Sequence, residues 1–294
     1  MNAELLIMFT LDCNRAYLYA HPERELTADE LRRYDEALAR RETGEPAQYI
    51  TGHQEFWGMD LIVSPAVLIP RPETEHVVET VLELAGVSGC TSNGNYHGGH
   101  GGNLRQPDFR QSGSAEKERS LIIADIGTGS GAIALALARE LRAAEIHATD
   151  NSAAALEVAR ANAARHELLS RIQFHETDLL AGLPAQSLDF VVSNPPYVGS
   201  SEEDEVQLEV RKFEPRNAVF AGPTGLEVIE RLIPQAREAL RPGGWLVFEI
   251  SGTVADGVQD LLAGWEAVAV TNDLQGIPRV ARAKKPGVPG IARR

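Results

Sequence analysis

The chain has 294 residues, enough for one large domain or two modest ones with a buried core. Its 28 Lys+Arg against 42 Asp+Glu leave a formal charge of −14. So acidic a protein is poorly suited to hold a nucleic-acid backbone, because that binding depends on Lys and Arg. The two cysteines, Cys13 and Cys90, exclude a disulfide framework and paired-thiolate zinc sites. We expect a soluble, cytoplasmic protein, since the sequence contains neither a secretory signal nor a run of about 18 apolar residues.

The N-terminal part of the sequence, residues 1–54, is predicted to be a helical domain. Thr27 followed by Glu30 is typical of a capping box, here at the start of a helix over Ala28–Arg41. Residues 55–85 are predicted to connect this domain to the rest of the chain. They combine a β-hairpin over 55–69 with a helix over Thr74–Ala85.

Residues 86–120 differ in character from the rest of the chain. They are rich in Gly, Ser, Asn and Gln and almost free of apolar side chains. Because such a segment buries too little surface to offset its ordering entropy, we expect a disordered insertion. His97 and His100 lie in it without a third ligand, so we expect no metal site.

From Leu121 the chain alternates between strand and helix patterns, over 121–285, before a tail at 286–294. This alternation predicts parallel strands joined by right-handed crossovers, which is a doubly wound α/β sheet. The final apolar runs, Ala267–Val270 and Val280–Ala283, are expected to add a hairpin to the sheet. The predicted strands are Leu121–Ile126, Ile146–Thr149, Ile172–His175, Phe190–Ser193 and Trp245–Ile250, and the predicted helices are Gly131–Leu141, Ser152–His166, Gly225–Leu240 and Val254–Leu262.

A glycine-rich loop follows the first of these strands. The residues are Asp125-Ile126-Gly127-Thr128-Gly129-Ser130-Gly131, and glycines there permit a sharp turn and close approach of a ligand to the backbone. Asp150 ends the next strand, where a carboxylate can accept hydrogen bonds from ribose hydroxyls. Gly127, Gly129 and Ala132 also satisfy the dinucleotide fingerprint, so an NAD enzyme fits the same residues.

The carboxylate of Asp125 separates the two cofactors. It suits the ammonium group of a methionine moiety and would conflict with an anionic pyrophosphate. The loop is typical of methyltransferases that use S-adenosylmethionine, and we expect that cofactor.

The tetrapeptide Asn194-Pro195-Pro196-Tyr197 follows the predicted strand Phe190–Ser193, at the edge of the sheet where open α/β folds bind ligands. A planar amide or exocyclic amine is a weak nucleophile with N–H groups that need acceptors. The side-chain oxygen of Asn194 and the carbonyl of Pro195 could accept them, while Pro196 stiffens the backbone and Tyr197 offers an aromatic wall. The tetrapeptide predicts methyl transfer to a planar nitrogen, with Asn194, Pro195 and Tyr197 as the catalytic residues.

The chain resembles the release-factor glutamine methyltransferases, the PrmC/HemK family. The resemblance runs from Gly44-Glu45-Pro46 to Glu249-Ile250 and includes Glu55-Phe56-Trp57-Gly58 and Ile69-Pro70-Arg71-Pro72-Glu73-Thr74-Glu75, which adenine-N6 DNA methyltransferases do not carry. It implies a Rossmann-like class I methyltransferase fold with a small N-terminal helical domain and a connecting β-hairpin. It also implies methylation of the side-chain amide nitrogen (N5) of the Gln in the Gly-Gly-Gln motif of class 1 peptide chain release factors.

The resemblance also implies roles for single residues. Gly127 to Gly131 would surround the methionine part of the cofactor, Asp150 would hold the ribose, and Asp178 and Leu179 would lie beside the adenine. Asn194 to Tyr197 would hold the substrate Gln. Arg71 and Glu73 would either shape the pocket or form an ion pair that braces two segments.

Several features depart from the family pattern. The helical domain is shorter than expected, the insertion at 86–120 is longer, Leu179 replaces an aromatic residue, and Ser251 stands where glycine is expected.

Two other functions fit part of the sequence: an adenine-N6 nucleic-acid methyltransferase, and a cofactor-binding module that has lost its substrate. We expect a monomer whose partner is a release factor, with no membrane and no direct nucleic-acid binding. The acidic run Glu202–Glu205 fits either a solvated helix start or contact with a basic protein.

Overall fold

The computed structural model describes residues 2–87 and 120–287. Most of the predicted insertion at 86–120, including Cys90, His97 and His100, and the end of the predicted tail lie outside the described residues. The N-terminal part is helical, as predicted. Leu6, Ala37 and Ile50 form a small buried cluster there, and Thr27 and Glu30 make the predicted capping box. The helices are α1 (Asn2–Leu11), α2 (Arg15–Ala20), α3 (Ala28–Glu42) and α4 (Ala47–Thr51).

A short β-hairpin and one helix connect these helices to the main sheet. The hairpin comprises β1 (His53–Phe56) and β2 (Met59–Ile62), and α5 covers Glu75–Leu84. The prediction that the hairpin extends to Ile69 is wrong. Val63, Val67 and Ile69 are buried, but in an irregular segment that packs with Tyr49 and Ala155.

The main sheet has seven strands in the order β10-β11-β9-β6-β3-β4-β5. β3, β4, β5, β6 and β9 pair in parallel, and β10 and β11 form the predicted antiparallel hairpin at one edge. The doubly wound fold is therefore confirmed. The strands are β3 (Ile122–Ile126), β4 (Glu145–Asp150), β5 (Ile172–Glu176), β6 (Leu188–Ser193), β9 (Leu240–Glu249), β10 (Glu266–Asn272) and β11 (Pro278–Lys284), and the helices between them are α6 (Ala132–Glu140), α7 (Ala153–Arg165), α10 (Glu227–Ala239) and α11 (Ala255–Leu261).

The segment between β6 and α10 contains short elements that the sequence did not predict. A parallel pair of two-to-three-residue strands, β7 (Val198–Gly199) and β8 (Phe220–Gly222), encloses two short helices, α8 (Leu208–Phe213) and α9 (Arg216–Val219). This segment lies directly after the predicted Asn194 motif.

The order of the strands determines where a ligand can bind. From β3 the chain moves to β4 and β5 on one side, whereas β6 and β9 lie on the other. A crevice therefore opens at the carboxyl ends of β3 and β6, as in other open α/β sheets. Two large apolar clusters cover the two faces of the sheet and hold these strand ends in place. Within residues 2–87 and 120–287, no helix is long and apolar enough to span a bilayer.

Candidate active site

A cavity of about 400 Å³ occupies this crevice. It brings together most of the site residues predicted from the sequence, although these come from four separate strand ends. The predicted residues that line it are Gly127, Thr128, Gly129, Ser130, Asp150, Asp178, Leu179, Asn194, Pro195 and Pro196. Three other predicted residues, Asp125, Gly131 and Tyr197, do not line it.

The three glycines of the loop have different surroundings. Gly127 and Gly129 have positive φ angles of 69° and 55°, and a Cβ built on Gly127 meets no atom within 4 Å. Gly131 also has a positive φ, 85°, but its Cβ would lie 2.5 Å from Cδ1 of Leu135 and 3.3 Å from Cβ of Ala159. The first two glycines therefore leave the backbone accessible from the cavity, and the third allows α6 and α7 to pack closely.

Asp150 is the last residue of β4 and lines the cavity. One carboxylate oxygen accepts a hydrogen bond from the backbone N–H of Gly129, and the other accepts one from the N–H of Ser152, both at 2.9 Å. Burial raises the pKa of this carboxyl, and those N–H groups oppose the rise. Because each oxygen has a second lone pair, the fixed carboxylate can still accept bonds from two ribose hydroxyls.

Asp125 is only 1% exposed and lies behind Thr128. Its Oδ2 accepts bonds from the Thr128 hydroxyl at 2.7 Å and from the N–H of Ala134 at 3.1 Å. Its Oδ1 is a buried acceptor with no hydrogen-bond partner in the described part of the chain. Burial raises the pKa of Asp125 to about 7. Direct contact between Asp125 and the cofactor ammonium stays a prediction, since Asp125 does not line the cavity.

Asp178 and Leu179 follow β5 at the other end of the cavity. The carbonyl of Leu179 accepts a bond from the Thr149 hydroxyl at 2.9 Å, which holds this turn against β4. Asp178 forms an ion pair with Arg231 of α10. Arg231 also lines the cavity, and no sequence pattern pointed to it, because a single Arg on a predicted helix is usually a surface residue.

The cavity residues fit S-adenosylmethionine. The open backbone at Gly127 would admit the methionine part, Asp150 would hold the ribose, and Leu179 would supply an apolar surface for the adenine. In the described residues no group of three or more His, Cys, Asp and Glu side chains could hold a metal ion.

Asn194 is held by a network that reaches across the sheet. Its Nδ2 donates to the hydroxyl of Thr74 at 3.0 Å, and that hydroxyl donates to Oε2 of Glu249 at 2.6 Å. The Tyr197 hydroxyl donates to Oε1 of the same carboxylate at 3.0 Å. Glu249 is 1% exposed. Burial raises the pKa of both Glu249 and Tyr197.

Sequence reasoning missed Thr74 and Glu249 as site residues. Both lie in segments that carry the family resemblance, and a polar residue among apolar neighbours is the signal that could have pointed to them. Tyr197 packs against the apolar cluster on one face of the sheet, and its role as an aromatic wall for the substrate stays a prediction.

Arg71, in the family segment, forms an ion pair that braces two parts of the chain. Arg71 pairs with Glu214 at 2.5 Å, and Glu214 also accepts the N–H of Ile69 at 3.1 Å. The partner is thus a distant glutamate and not Glu73. This contact joins the residues after the hairpin to the loop between α8 and α9, and Pro215 in that loop lines the cavity.

The acidic run lies in a 3₁₀ turn, Ser200–Glu205, after β7. Glu203 pairs with Arg216 at 2.7 Å and Asp204 with Arg211 at 2.8 Å. These arginines neutralise part of the charge that the sequence displays.

The fold and the cavity define the class of this protein. A doubly wound sheet with a glycine loop after β3, an aspartate at the end of β4 and Asn-Pro-Pro-Tyr after β6 is the arrangement of a class I methyltransferase that depends on S-adenosylmethionine. The family description "PrmC N-terminal domain" matches residues 1–52, and "Methyltransferase small domain" matches residues 114–212.

Comparison with curated proteins identifies the family. A "Release factor glutamine methyltransferase" of Koribacter versatilis (strain Ellin345) is 50% identical over 97% of this chain and 91% of that protein. Proteins of the same name from Xylella fastidiosa (strain Temecula1) and Moorella thermoacetica are 38% and 40% identical over 98% and 96% of this chain, and 94% and 87% of their own lengths. The chain belongs to the release factor glutamine methyltransferase family.

A solved structure supports the fold. The hMettl16 catalytic domain in complex with MAT2A 3'UTR hairpin 6 superposes with a TM-score of 0.55 at 18% identity, over 81% of this chain and 79% of that one. This likeness concerns the fold alone.

Proposed function

We propose that this protein transfers a methyl group from S-adenosylmethionine to the side-chain amide nitrogen of the Gln in the Gly-Gly-Gln motif of class 1 peptide chain release factors. The observation that carries the proposal is the placement of Asn194 in one cavity with the glycine loop and Asp150. The names of the curated relatives supply the substrate class.

The residues of the site suit transfer to an amide. When bound, the cofactor supplies a methyl sulfonium, from which the methyl group moves by direct displacement. The lone pair of an amide nitrogen is delocalised, so the site must orient this weak nucleophile. The Asn194 side-chain oxygen and the Pro195 carbonyl accept its two N–H groups and direct the nitrogen at the methyl group. Orientation and electrostatics then supply most of the rate enhancement.

The transfer forms one bond at the substrate nitrogen and breaks one at the cofactor sulfur. The nitrogen forms the new N–C bond, the electrons of the broken S–C bond remain on sulfur, and one N–H proton leaves to solvent. This chemistry needs no nucleophilic side chain of the protein.

We further infer that the helical domain, residues 1–54, contacts the release factor. Large apolar side chains on these helices support this role, since Phe9 is 48% exposed and Tyr19 is 70% exposed. We expect the protein to act as a monomer in the cytoplasm, without direct contact to nucleic acid.

The function is tested with labelled S-adenosylmethionine, a release factor, the same release factor with its Gly-Gly-Gln glutamine changed to Ala, and duplex DNA. We expect label on the first protein alone. Equal label on both release factors would overturn the proposal, and label on DNA alone would favour the adenine-N6 function. Bound cofactor with no transfer to any acceptor would favour the binding module.

Asn194→Ala tests the assigned role within the site. We expect transfer to be abolished, because the substrate amide loses an acceptor, while the dissociation constant for the cofactor stays nearly unchanged. Calorimetry of cofactor binding and the labelling assay separate the two effects. A loss of cofactor affinity as large as the loss of transfer would contradict the role.

A further inference from the structure

We infer that Thr74 and Glu249 are positioning residues that fix which end of the Asn194 amide faces the substrate, and that they thereby make the site select an amide over a carboxylate. This inference rests on the proposed function. It concerns the hydrogen bonds that join two residues of the cavity lining, Asn194 and Thr74, to the buried Glu249.

Glu249 determines which group donates and which accepts in each hydrogen bond of this network. This residue ends β9 and its carboxylate accepts bonds from two hydroxyls, those of Thr74 at 2.6 Å and Tyr197 at 3.0 Å. Burial raises the pKa of the carboxyl, whereas the two hydroxyls and the charge of Arg279 favour its ionised form. The hydrogen bond to Oε2 is donated by the Thr74 hydroxyl, so the single proton of that hydroxyl is used on Glu249.

Thr74 in turn determines which end of the Asn194 amide it contacts. With its proton used, the hydroxyl has only lone pairs left for its other neighbour, and it accepts the bond from Nδ2 of Asn194 at 3.0 Å. A flipped Asn194 would place Oδ1 against those lone pairs, so that two acceptors would face each other in a buried site. Thr74 is 3% exposed, and an unsatisfied acceptor at such depth is costly. The side-chain oxygen is therefore held on the side of the amide away from Thr74.

The consequence for the substrate follows from hydrogen-bond complementarity. A side-chain oxygen accepts the N–H of a Gln amide but repels the oxygens of a Glu carboxylate. A site built to bond an N–H rejects an analogue that lacks it. Without the Thr74 hydroxyl, Asn194 could rotate and present its NH₂ group, which a carboxylate would accept.

The test uses three variants of the full-length enzyme. Thr74→Val removes the hydroxyl with little change of shape, and Thr74→Ser keeps it. Thr80→Val is the matched control, because Thr80 is also buried, at 6% exposure, and its hydroxyl bonds the carbonyl of His76 within α5. Thermal unfolding of each variant checks that the fold is intact.

Two quantities are measured with the release factor. One is kcat for transfer. The other is the inhibition ratio. It is the inhibition constant of a release factor with Gln→Glu divided by the inhibition constant of a release factor with Gln→Ala. In Thr74→Val we expect kcat to fall about tenfold or more and the ratio to fall by a similar factor, because the carboxylate no longer meets a fixed acceptor. Thr74→Ser should recover most of the rate, and Thr80→Val should match the wild type.

The outcomes distinguish the inference from the function it rests on. A Thr74→Val enzyme with the kcat and the inhibition ratio of the wild type would overturn the inference. So would equal losses in Thr74→Val and Thr80→Val, or a loss of rate in Thr74→Val with an unchanged ratio. Failure of the wild type to methylate the Gln would instead overturn the proposed function.

Discussion

Replacing single glycines in the loop after β3 should separate packing from cofactor binding. Both Gly127 and Gly131 have positive φ angles, 69° and 85°, so alanine at either position adopts a left-handed conformation that costs about 1–2 kcal/mol. At Gly131 the added Cβ also lies 2.5 Å from Leu135 Cδ1, and overpacking of this kind adds about 1–3 kcal/mol. We therefore expect Gly131→Ala to lower the free energy of unfolding by about 2–5 kcal/mol.

Gly127→Ala should behave differently, because no atom lies within 4 Å of its Cβ. We expect a loss of only about 1–2 kcal/mol of stability. Because the new methyl group occupies space where the cofactor meets the loop, we also expect at least about tenfold weaker binding of S-adenosylmethionine. Urea unfolding measures the first quantity and calorimetry the second. Equal destabilisation by the two substitutions, or full cofactor affinity in Gly127→Ala, would refute this assignment.

Four further substitutions test three buried polar groups, Asn162, Glu214 and Asp125. Asn162→Ala should lower the free energy of unfolding by about 2–4 kcal/mol, because Asn162 donates to the Ser130 carbonyl at 2.9 Å and bonds both backbone groups of Ile62. A loss below about 0.5 kcal/mol in urea unfolding would contradict a stabilising role for these three hydrogen bonds. Arg71→Ala should lower the free energy of unfolding by about 3 kcal/mol, since it leaves the buried Glu214 carboxylate without its cation. Glu214→Gln in that background should restore part of the stability, and no restoration would argue against the charge as the cause. The free energy of unfolding of the wild type, compared with that of Asp125→Asn, should fall by about 3 kcal/mol as the pH rises from about 4 to about 7. The reason is that the native carboxyl, with its pKa raised from 3.8 to about 7, keeps a proton that the unfolded chain has lost; parallel stability curves for the two proteins would exclude this titration.

Much of the sheet and of the cofactor side of the site could be predicted from the sequence. The glycine loop, Asp150 and the Asn194 motif each follow an apolar strand, and parallel strands end at the same edge of a sheet. Local patterns therefore indicated a common location for these residues at the edge of the sheet, and most of them line one cavity there.

The hydrogen-bond network behind Asn194 could not be predicted in this way. Thr74 lies 120 residues from Asn194 and 175 residues from Glu249, and only the folded sheet brings the three together. The same holds for Arg71, whose partner Glu214 is 143 residues away. Periodicity reports which face of an element is buried, not which distant side chain it meets.

The error in the hairpin has a related cause. Val63, Val67 and Ile69 are apolar and buried, as the pattern indicates, but residues 63–69 form no strand. A short apolar run fits any buried segment, since its length and periodicity do not distinguish a strand from an irregular stretch. Here Tyr49 bonds the carbonyl of Val67 at 2.6 Å, and the packing of this segment against Tyr49 and Ala155 replaces strand pairing.

The most direct test of the proposed function is to locate the transferred methyl group. A release factor incubated with S-adenosylmethionine and either the wild-type enzyme or the Asn194→Ala variant would be digested and sequenced by tandem mass spectrometry. We predict one methyl group on the side-chain nitrogen of the Gly-Gly-Gln glutamine with the wild type, and none with the variant. A methyl group on another residue, or equal methylation of the glutamine by both enzymes, would contradict the assignment of this cavity as an amide methylation site.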